Sequence, residues 1–287
     1  VKVFGDTSSL DKCPQVKSIL MSDPKFYTVS YAINTHMIDE FGKLNEVNPM
    51  KALQEWLSLK RCFEKIGYPV KTIPPVEGLP DLVFTANQSF PLPDGRVVLS
   101  KMRSSERAPE VGVFKTWYED QGIEEFIEVD SFFESMGDVL WHPGSMLLWG
   151  GHGFRTEEAA LEELFDKIKI PIIPLKLINE NFYHLDTCFS LLDSKTLAYY
   201  PGAFEEETNS FLEKWFERTI LIEEEEALKN FAGNCYCPDG KNVIIHPGSI
   251  KFEKELLKLG FKVHHVKTSE FIKGGGSVFC MKLPLFL

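Results

Sequence analysis

Ser89-Phe90-Pro91-Leu92-Pro93-Asp94-Gly95-Arg96-Val97-Val98-Leu99-Ser100 reads as a strand, a tight turn and a second strand. Pro93-Asp94-Gly95 carries the turn, since Gly tolerates positive φ and Asp bonds its own backbone. The pattern recurs in Asp138–Trp149 around Pro143-Gly144-Ser145, in Cys188–Tyr200 around Asp193-Ser194-Lys195, and in Cys235–His246 around Pro238-Asp239-Gly240. The spacing is roughly 45–50 residues, a period at which repeat architectures are expected.

A helix follows each hairpin, near Glu106–Gln121, Glu157–Ile168, Glu205–Glu217 and Ile250–Leu259. An earlier helix opens at Asn48-Pro49, where Asn caps and Pro fits the first helical position. It presents Leu53, Trp56, Leu57, Phe63 and Ile66 as an apolar face and stops at Gly67. Strands come next: Lys65-Ile66-Gly67-Tyr68-Pro69-Val70 and Lys258-Leu259-Gly260-Phe261-Lys262-Val263 share one helix–Gly–strand exit, and Ile170–Ile173 and Thr219–Ile222 are equivalent.

The unit is therefore ββαβ. With an N-terminal strand near Tyr27–Ile33 and a C-terminal one near Ser277–Leu283, about five units fit. Such units cannot bury their apolar faces alone, and radial closure solves that. The expectation is an α/β propeller with pseudo-fivefold symmetry, one domain over 1–287, with 1–20 as an N-terminal extension.

Composition narrows the function. A formal net charge of −11 argues against nucleic acid, which needs a clustered basic face, but suits a cationic small molecule. Glu223-Glu224-Glu225-Glu226 reads as a solvated helix start. No apolar run is long enough to span a membrane, and Val1-Lys2-Val3-Phe4-Gly5-Asp6 has no signal-peptide pattern. Cys13, Cys62, Cys188, Cys235, Cys237 and Cys280 do not form a disulfide framework in a chain this long. Cys235-Tyr236-Cys237 lacks further ligands for zinc. A reduced, cytoplasmic thiol enzyme without metal or organic cofactor is the expectation.

The repeat places the unusual polar residues at matched positions. Asn87 lies just before the first hairpin, Glu134 and Asp138 at the second, His184 and Asp186 before the third, and Asn234 before the fourth. Cys280 falls in the predicted last strand, after Gly274-Gly275-Gly276. Equivalent strand ends converge on the axis of a closed ring, which predicts that His184 meets Cys280. A thiol nucleophile needs an acid–base partner, and His184 is one. Two buried carboxylates, Glu134 and Asp186, need a cation between them. A guanidinium fits, being planar and bidentate toward carboxylates. The bland reading of Cys280 is a small buried hydrophobe.

Leu79-Pro80-Asp81-Leu82-Val83-Phe84-Thr85-Ala86-Asn87, Glu134-Ser135-Met136-Gly137-Asp138, Gly153-Phe154-Arg155, His184-Leu185-Asp186-Thr187 and Gly275-Gly276-Ser277-Val278-Phe279-Cys280 together resemble the guanidino-group-modifying (amidinotransferase/arginine deiminase) superfamily. That family's fold is a five-bladed α/β propeller. Tyr31-Ala32-Ile33-Asn34, Met102-Arg103-Ser104-Ser105-Glu106-Arg107 and Phe182–Cys188 are most similar to the arginine dihydrolase branch. Dihydrolases carry Asn at the position of Asn87, where deiminases and dimethylarginine enzymes carry Asp. Their His-x-Asp matches His184 and Asp186, whereas dimethylarginine enzymes usually have His-x-Lys. Glu134–Asp138 is one residue longer than the common Glu-Gly-Gly-Asp, which leaves the register of Glu134 open by one place.

The resemblance implies a hydrolase that attacks free arginine through a covalent thiouronium on Cys280. His184 serves as acid and base, Glu134 and Asp186 orient the guanidinium, and Arg155 and Arg103 hold the α-carboxylate. Asn34, Asp81 and Phe84 line the substrate site, and Asn87 is the switch that lets citrulline react again to ornithine, ammonia and carbon dioxide. The alternatives are a deiminase stopping at citrulline, a dimethylarginine hydrolase, an amidinotransferase, or a binding protein on the same propeller. A homo-oligomer is compatible with all of them.

Overall fold

The computed structural model describes residues 1–286. Its strands are β1 (Ser18–Ser22), β2 (Val70–Ile73), β3 (Ser89–Pro91), β4 (Val97–Leu99), β5 (Phe126–Ile127), β6 (Val139–Trp141), β7 (Leu148–His152), β8 (Ile172–Lys176), β9 (Phe189–Leu191), β10 (Thr196–Tyr199), β11 (Arg218–Leu221), β12 (Asn242–Ile245), β13 (Lys262–His265) and β14 (Leu283–Leu285). They form five small sheets, ordered β14-β1-β2, β3-β4-β5, β6-β7-β8, β9-β10-β11 and β12-β13. In the second to fourth sheets the middle strand pairs antiparallel with its hairpin partner and parallel with the strand that returns after a helix. The fourth hairpin found in the sequence survives on its inner side as a single bridge, Tyr236 with Ile244. The result is a mixed α/β fold.

The helices are α1 (Pro49–Lys65), α2 (Glu110–Asp120), α3 (Glu158–Ile168), α4 (Glu206–Trp215), α5 (Glu224–Asn230), α6 (Ile250–Lys258) and α7 (Ser269–Ile272). Asn48 caps α1 by accepting from the Lys51 N–H at 3.1 Å, with Pro49 at the first turn. The buried face of α1 is Ala52, Trp56, Leu59 and Phe63, at helical spacing, while Leu53, Leu57 and Ile66 are half-buried. Gly67 and Gly260 both take positive φ, +99° and +86°, at matching helix exits. α2 begins later than the predicted Glu106, because residues 104–108 form a turn held by the Ser104 carbonyl.

Both predicted terminal strands shift. Tyr27–Ile33 is irregular, and the strand is β1, whose Ile19-Leu20-Met21 is wholly buried. A strand covered on both faces reads as a continuous apolar run and not as alternation. Residues 18–20, predicted to belong to an extension, are thus the middle of a sheet. The preceding chain is also tied down: Phe4 pairs with Ile172, and the Met146 N–H donates to the Asp11 carbonyl at 2.8 Å. β1 pairs parallel with β2 and antiparallel with β14, so the two ends of the described chain close one sheet. The final strand starts at Leu283, and Cys280 lies outside it.

Candidate active site

A single 3₁₀ turn precedes each of three inner strands and the Tyr236 bridge, over Pro80–Val83, Ser135–Gly137, Leu185–Thr187 and Ala232–Asn234. These turns hold the polar residues. Glu134 and His184 sit at the N-terminal ends of two turns, and Asp186 and Asn234 lie within two. Asn87 follows the first turn closely, just before β3. Sheets packed side by side bring the turns together, so residues far apart in sequence share one buried site.

Cys280 is placed by a side chain. Asn234 Oδ1 accepts from the backbone N–H groups of Ser277, Phe279 and Cys280, at 3.0, 3.2 and 3.3 Å. Donors spent on an amide oxygen cannot enter a sheet ladder, which is why the predicted strand Ser277–Leu283 is a turn up to residue 282. Asn234 Nδ2 also donates to Cys280 Sγ at 3.2 Å and to the Asp186 carbonyl at 2.8 Å.

The expected contact of Cys280 with His184 is corrected. The Cys280 thiol donates to Asp186 Oδ2 at 3.2 Å, and His184 Nε2 lies 2.7 Å from Glu134 Oε2. Burial would raise Glu134, but Arg155, His184 and Arg107 outweigh it and hold its carboxyl well below the carboxylate range. An ionised carboxylate only accepts, so His184 Nε2–H is the donor in this pair. Burial pushes Asp186 up to about 7, against Cys280, Lys282, Asn234 and Arg107. Burial, then the charge of Asp186, pushes the Cys280 thiol well above its ordinary value. In the free protein the Cys280–Asp186 pair therefore holds its proton near neutral pH.

Glu134 itself reaches the site, and Asp138 does not. Asp138 Oδ1 and Oδ2 accept from the Leu185 and Thr156 backbone N–H groups at 3.0 and 3.3 Å, so Asp138 fixes the adjoining turn. Glu134 is already engaged by Arg155 Nη1 at 3.0 Å, by His184, and by the Arg103 backbone N–H at 3.1 Å. This departs from the prediction that it grips the guanidinium alongside Asp186. Asp186 Oδ1 has no hydrogen-bond partner among the described residues.

Arg155 stacks over Tyr183 at 4.8 Å and donates to the Ile33 carbonyl at 2.8 Å. Arg103 turns outward, where its guanidinium meets Glu157 at 3.1 Å and the Arg155 carbonyl at 3.3 Å, so it does not face the site as predicted. Asn34 Nδ2 donates to the Gly274 carbonyl at 3.2 Å. Asp81 accepts from the Tyr31 hydroxyl at 2.8 Å. The Phe84 ring packs so closely on Gly276 that a Cβ there would lie 2.4 Å from it.

Arg107, which carried no role in the sequence, is the fully buried hub. It pairs with Glu110 at 2.9 Å, donates to the carbonyls of Asp81 and Phe84, and donates to Asn87 Oδ1 at 2.9 Å. Burial opposes its charge, yet Glu110 and Asp81 keep it protonated. Asn87 is thereby oriented with Nδ2 free of any hydrogen bond among the described residues. Cys280, Asn87, Asp81, Arg155, Tyr183 and Gly275 surround a narrow cavity of about 10 Å³. A larger cavity of about 440 Å³ lies at the hairpin turns, the other ends of the same strands, and contains none of these residues. Among the described residues no group of three or more His, Cys, Asp or Glu side chains is arranged to hold a metal, and no helix is long and apolar enough to cross a membrane.

A family model described as N,N dimethylarginine dimethylhydrolase, eukaryotic, matches residues 24–287. The chain belongs to this family, within the amidinotransferase superfamily. It is 35% identical over 269 residues to the bifunctional arginine dihydrolase/ornithine cyclodeaminase ArgZ of Synechocystis sp., covering 92% of this chain and 37% of that protein. It thus spans well under half of that bifunctional relative. It is 34% identical over 274 residues to the N(G),N(G)-dimethylarginine dimethylaminohydrolase of Mycobacterium tuberculosis, covering 96% of this chain and 87% of that protein. The crystal structure of the N-terminal domain of a substrate-bound ArgZ mutant, a cyanobacterial arginine dihydrolase, superposes with a TM-score of 0.87 at 34% identity, over 96% of this chain and 98% of that one.

Proposed function

We propose that this family member is an arginine dihydrolase: a hydrolase that turns free arginine into ornithine, two ammonia and carbon dioxide through a thiouronium and then a thiocarbamate on Cys280. The five sheets serve as the blades of a five-bladed propeller with the site on its axis. The observation that carries the reading is Asn87, which lines the same narrow cavity as Cys280 and whose Oδ1 is fixed by Arg107 while Nδ2 has no hydrogen-bond partner among the described residues. A neutral amide there accepts both a guanidinium and the uncharged ureido group of citrulline, which a carboxylate would disfavour.

The substrate's guanidinium supplies the cation that Asp186 lacks. Its N–H groups satisfy Asp186 Oδ1, and its charge favours loss of the proton shared by Asp186 and Cys280. The thiolate adds to the guanidinium carbon, and His184, held by Glu134, delivers a proton to the departing ammonia. Water deprotonated at His184 then displaces the sulfur and gives citrulline. A second attack on the ureido carbon releases ammonia again, and hydrolysis of the remaining thiocarbamate yields carbon dioxide and ornithine. Arg155, Asn34, Asp81 and Phe84 bind the substrate around the narrow cavity. That space is close to one water in size, so arginine entry displaces lining residues.

Relatives keep both activities in view, since ArgZ and the mycobacterial protein match at similar identity. Asp186 favours unmethylated arginine. Dimethylation strips the N–H donors from one nitrogen, leaving a buried carboxylate unpaired against it. Support for covalent chemistry comes from an ArgZ N-terminal-domain variant whose structure holds a covalently bound reaction intermediate. The deciding experiment compares turnover of arginine and of asymmetric dimethylarginine, beside Cys280→Ser. Arginine turnover at least about 10²-fold more efficient, and lost in the variant, is expected. Preferred hydrolysis of dimethylarginine overturns the assignment.

A further inference from the structure

Tyr183 stands directly before His184 and is buried, and both its ring and its hydroxyl are engaged. The ring face carries the Arg155 guanidinium, 4.8 Å from the centroid. The hydroxyl donates to the Gly275 carbonyl at 2.5 Å. Tyr183, Arg155 and Gly275 all line the narrow cavity with Cys280. One side chain thus touches both a cation and a loop of the site.

Gly275 belongs to a short buried loop, Gly274–Gly276, that leads from α7 to the turn holding Cys280. The loop's N–H groups run back to the carbonyls of Phe271, Ile272 and again Phe271, at 2.9, 2.9 and 3.2 Å. Its first two carbonyls go to side chains: Gly274 to Asn34 Nδ2, and Gly275 to Tyr183. Gly275 takes φ +90°, and a Cβ there would lie 2.6 Å from the Asn34 amide, so the loop is not stiffened by side chains of its own. A Cβ at Gly276 would lie 3.1 Å from Cys280 Cβ, so the loop packs on the thiol-bearing residue. A phenyl ring alone would fill the space of Tyr183. The hydroxyl adds a buried donor that is favourable only with a partner, and the partner is this loop.

We propose that Tyr183 is a positioning residue that fixes the spacing between Arg155 and Cys280: its ring seats the Arg155 guanidinium and its hydroxyl ties the Gly274–Gly276 loop. A substrate held at Arg155 by its carboxylate then meets the sulfur with its reacting carbon. Tyr183 acts through Arg155 and the loop. Holding reacting atoms at the right separation is worth orders of magnitude in rate. The two contacts have separate kinetic signatures. The ring contact serves binding and reads in KM, and the hydroxyl contact serves the geometry of attack and reads in kcat. The inference rests on Cys280 as the reacting thiol and on Arg155 as the partner of the α-carboxylate.

The test compares Tyr183→Phe, which keeps the ring and loses the hydroxyl, with Tyr183→Leu, which loses both. With arginine, Tyr183→Phe is expected to lower kcat about tenfold with KM within about twofold, and Tyr183→Leu to raise KM about tenfold as well. A wild-type kcat in the phenylalanine variant, or a wild-type KM in the leucine variant, overturns the proposal. A second measurement needs no guanidine. Cys280 is 3% exposed, so alkylation by iodoacetamide requires the packing around it to open. Tyr183→Phe is expected to speed that alkylation at least about threefold, scored by peptide mass mapping, while the buried Cys188 and Cys235 stay unlabelled. An unchanged rate overturns the proposal, and labelling of all three cysteines marks a loss of fold and overturns it too. If the wild-type protein leaves arginine untouched, the arginine assignment fails and the alkylation rate still decides the role of Tyr183.

Discussion

Cys280 donates its thiol hydrogen bond to Asp186 Oδ2, at 3.2 Å, and not to His184. The nucleophile and the acid–base imidazole are therefore separate pairs in the free protein, Cys280 with Asp186 and His184 with Glu134. The first pair is poised to release a proton when a cation arrives, and the second already has its carboxylate ionised.

Proton release on binding follows from the first pair. Burial raises Asp186 to about 7, above an ordinary carboxyl, so below that pH the free protein holds its proton. A raised acid of this kind favours the folded state below about pH 4, and that contribution is lost as pH rises toward 7. The guanidinium selects the carboxylate. Calorimetry of arginine binding to Cys280→Ser in buffers of different ionisation enthalpy is expected to show close to one proton released at about pH 6, falling toward zero near pH 9. Binding at pH 6 with no proton exchange would count against an Asp186 contact with the guanidinium.

Asn234 separates stability from reactivity. Asn234→Ala strips the acceptor from the buried Ser277 and Cys280 N–H groups, while the Phe279 N–H keeps the Asn234 backbone carbonyl at 3.0 Å, and is expected to cost about 2–4 kcal/mol in urea unfolding, with activity lost. Asn234→Asp keeps the acceptor but removes the donor to Sγ and sets a negative charge beside the thiol. It is expected to recover much of the stability and little of the activity. Equal stability loss in both variants would contradict the assigned role of Oδ1.

Asn87→Asp tests the switch. Arg107 Nη1 at 2.9 Å is positioned to pair with the new carboxylate, so the variant should fold. It is expected to stall at citrulline, seen as citrulline accumulating while ornithine does not. Continued ornithine formation would remove Asn87 from that role.

The hairpins and helices were legible because their signals are local. Pro143-Gly144, Asp193-Ser194 and Pro238-Asp239-Gly240 demand turns wherever they occur, and Asn48-Pro49 starts a helix by its own chemistry. The terminal strands were not. β1 is buried on both faces and lacks alternation, and its partner β14 lies at the other end of the chain. Cys280 falls in the strand Ser277–Leu283 that completes the predicted repeat, and Asn234, 46 positions upstream, makes it a turn. Repeat position alone located Glu134, His184, Asp186 and Asn234 together, but not which pairs with which. Arg107 was hidden because in sequence it is a charged residue near a helix start, where a solvated arginine is ordinary.

The central claim is that Cys280 attacks one substrate twice. The direct measurement is the stoichiometry of arginine turnover, with ammonia, citrulline and ornithine quantified together in one time course. The account predicts ornithine as the end product with about two ammonia released per arginine consumed, the count set by two successive covalent intermediates on Cys280, a thiouronium and a thiocarbamate. One ammonia per arginine, with citrulline as the stable product, would contradict it.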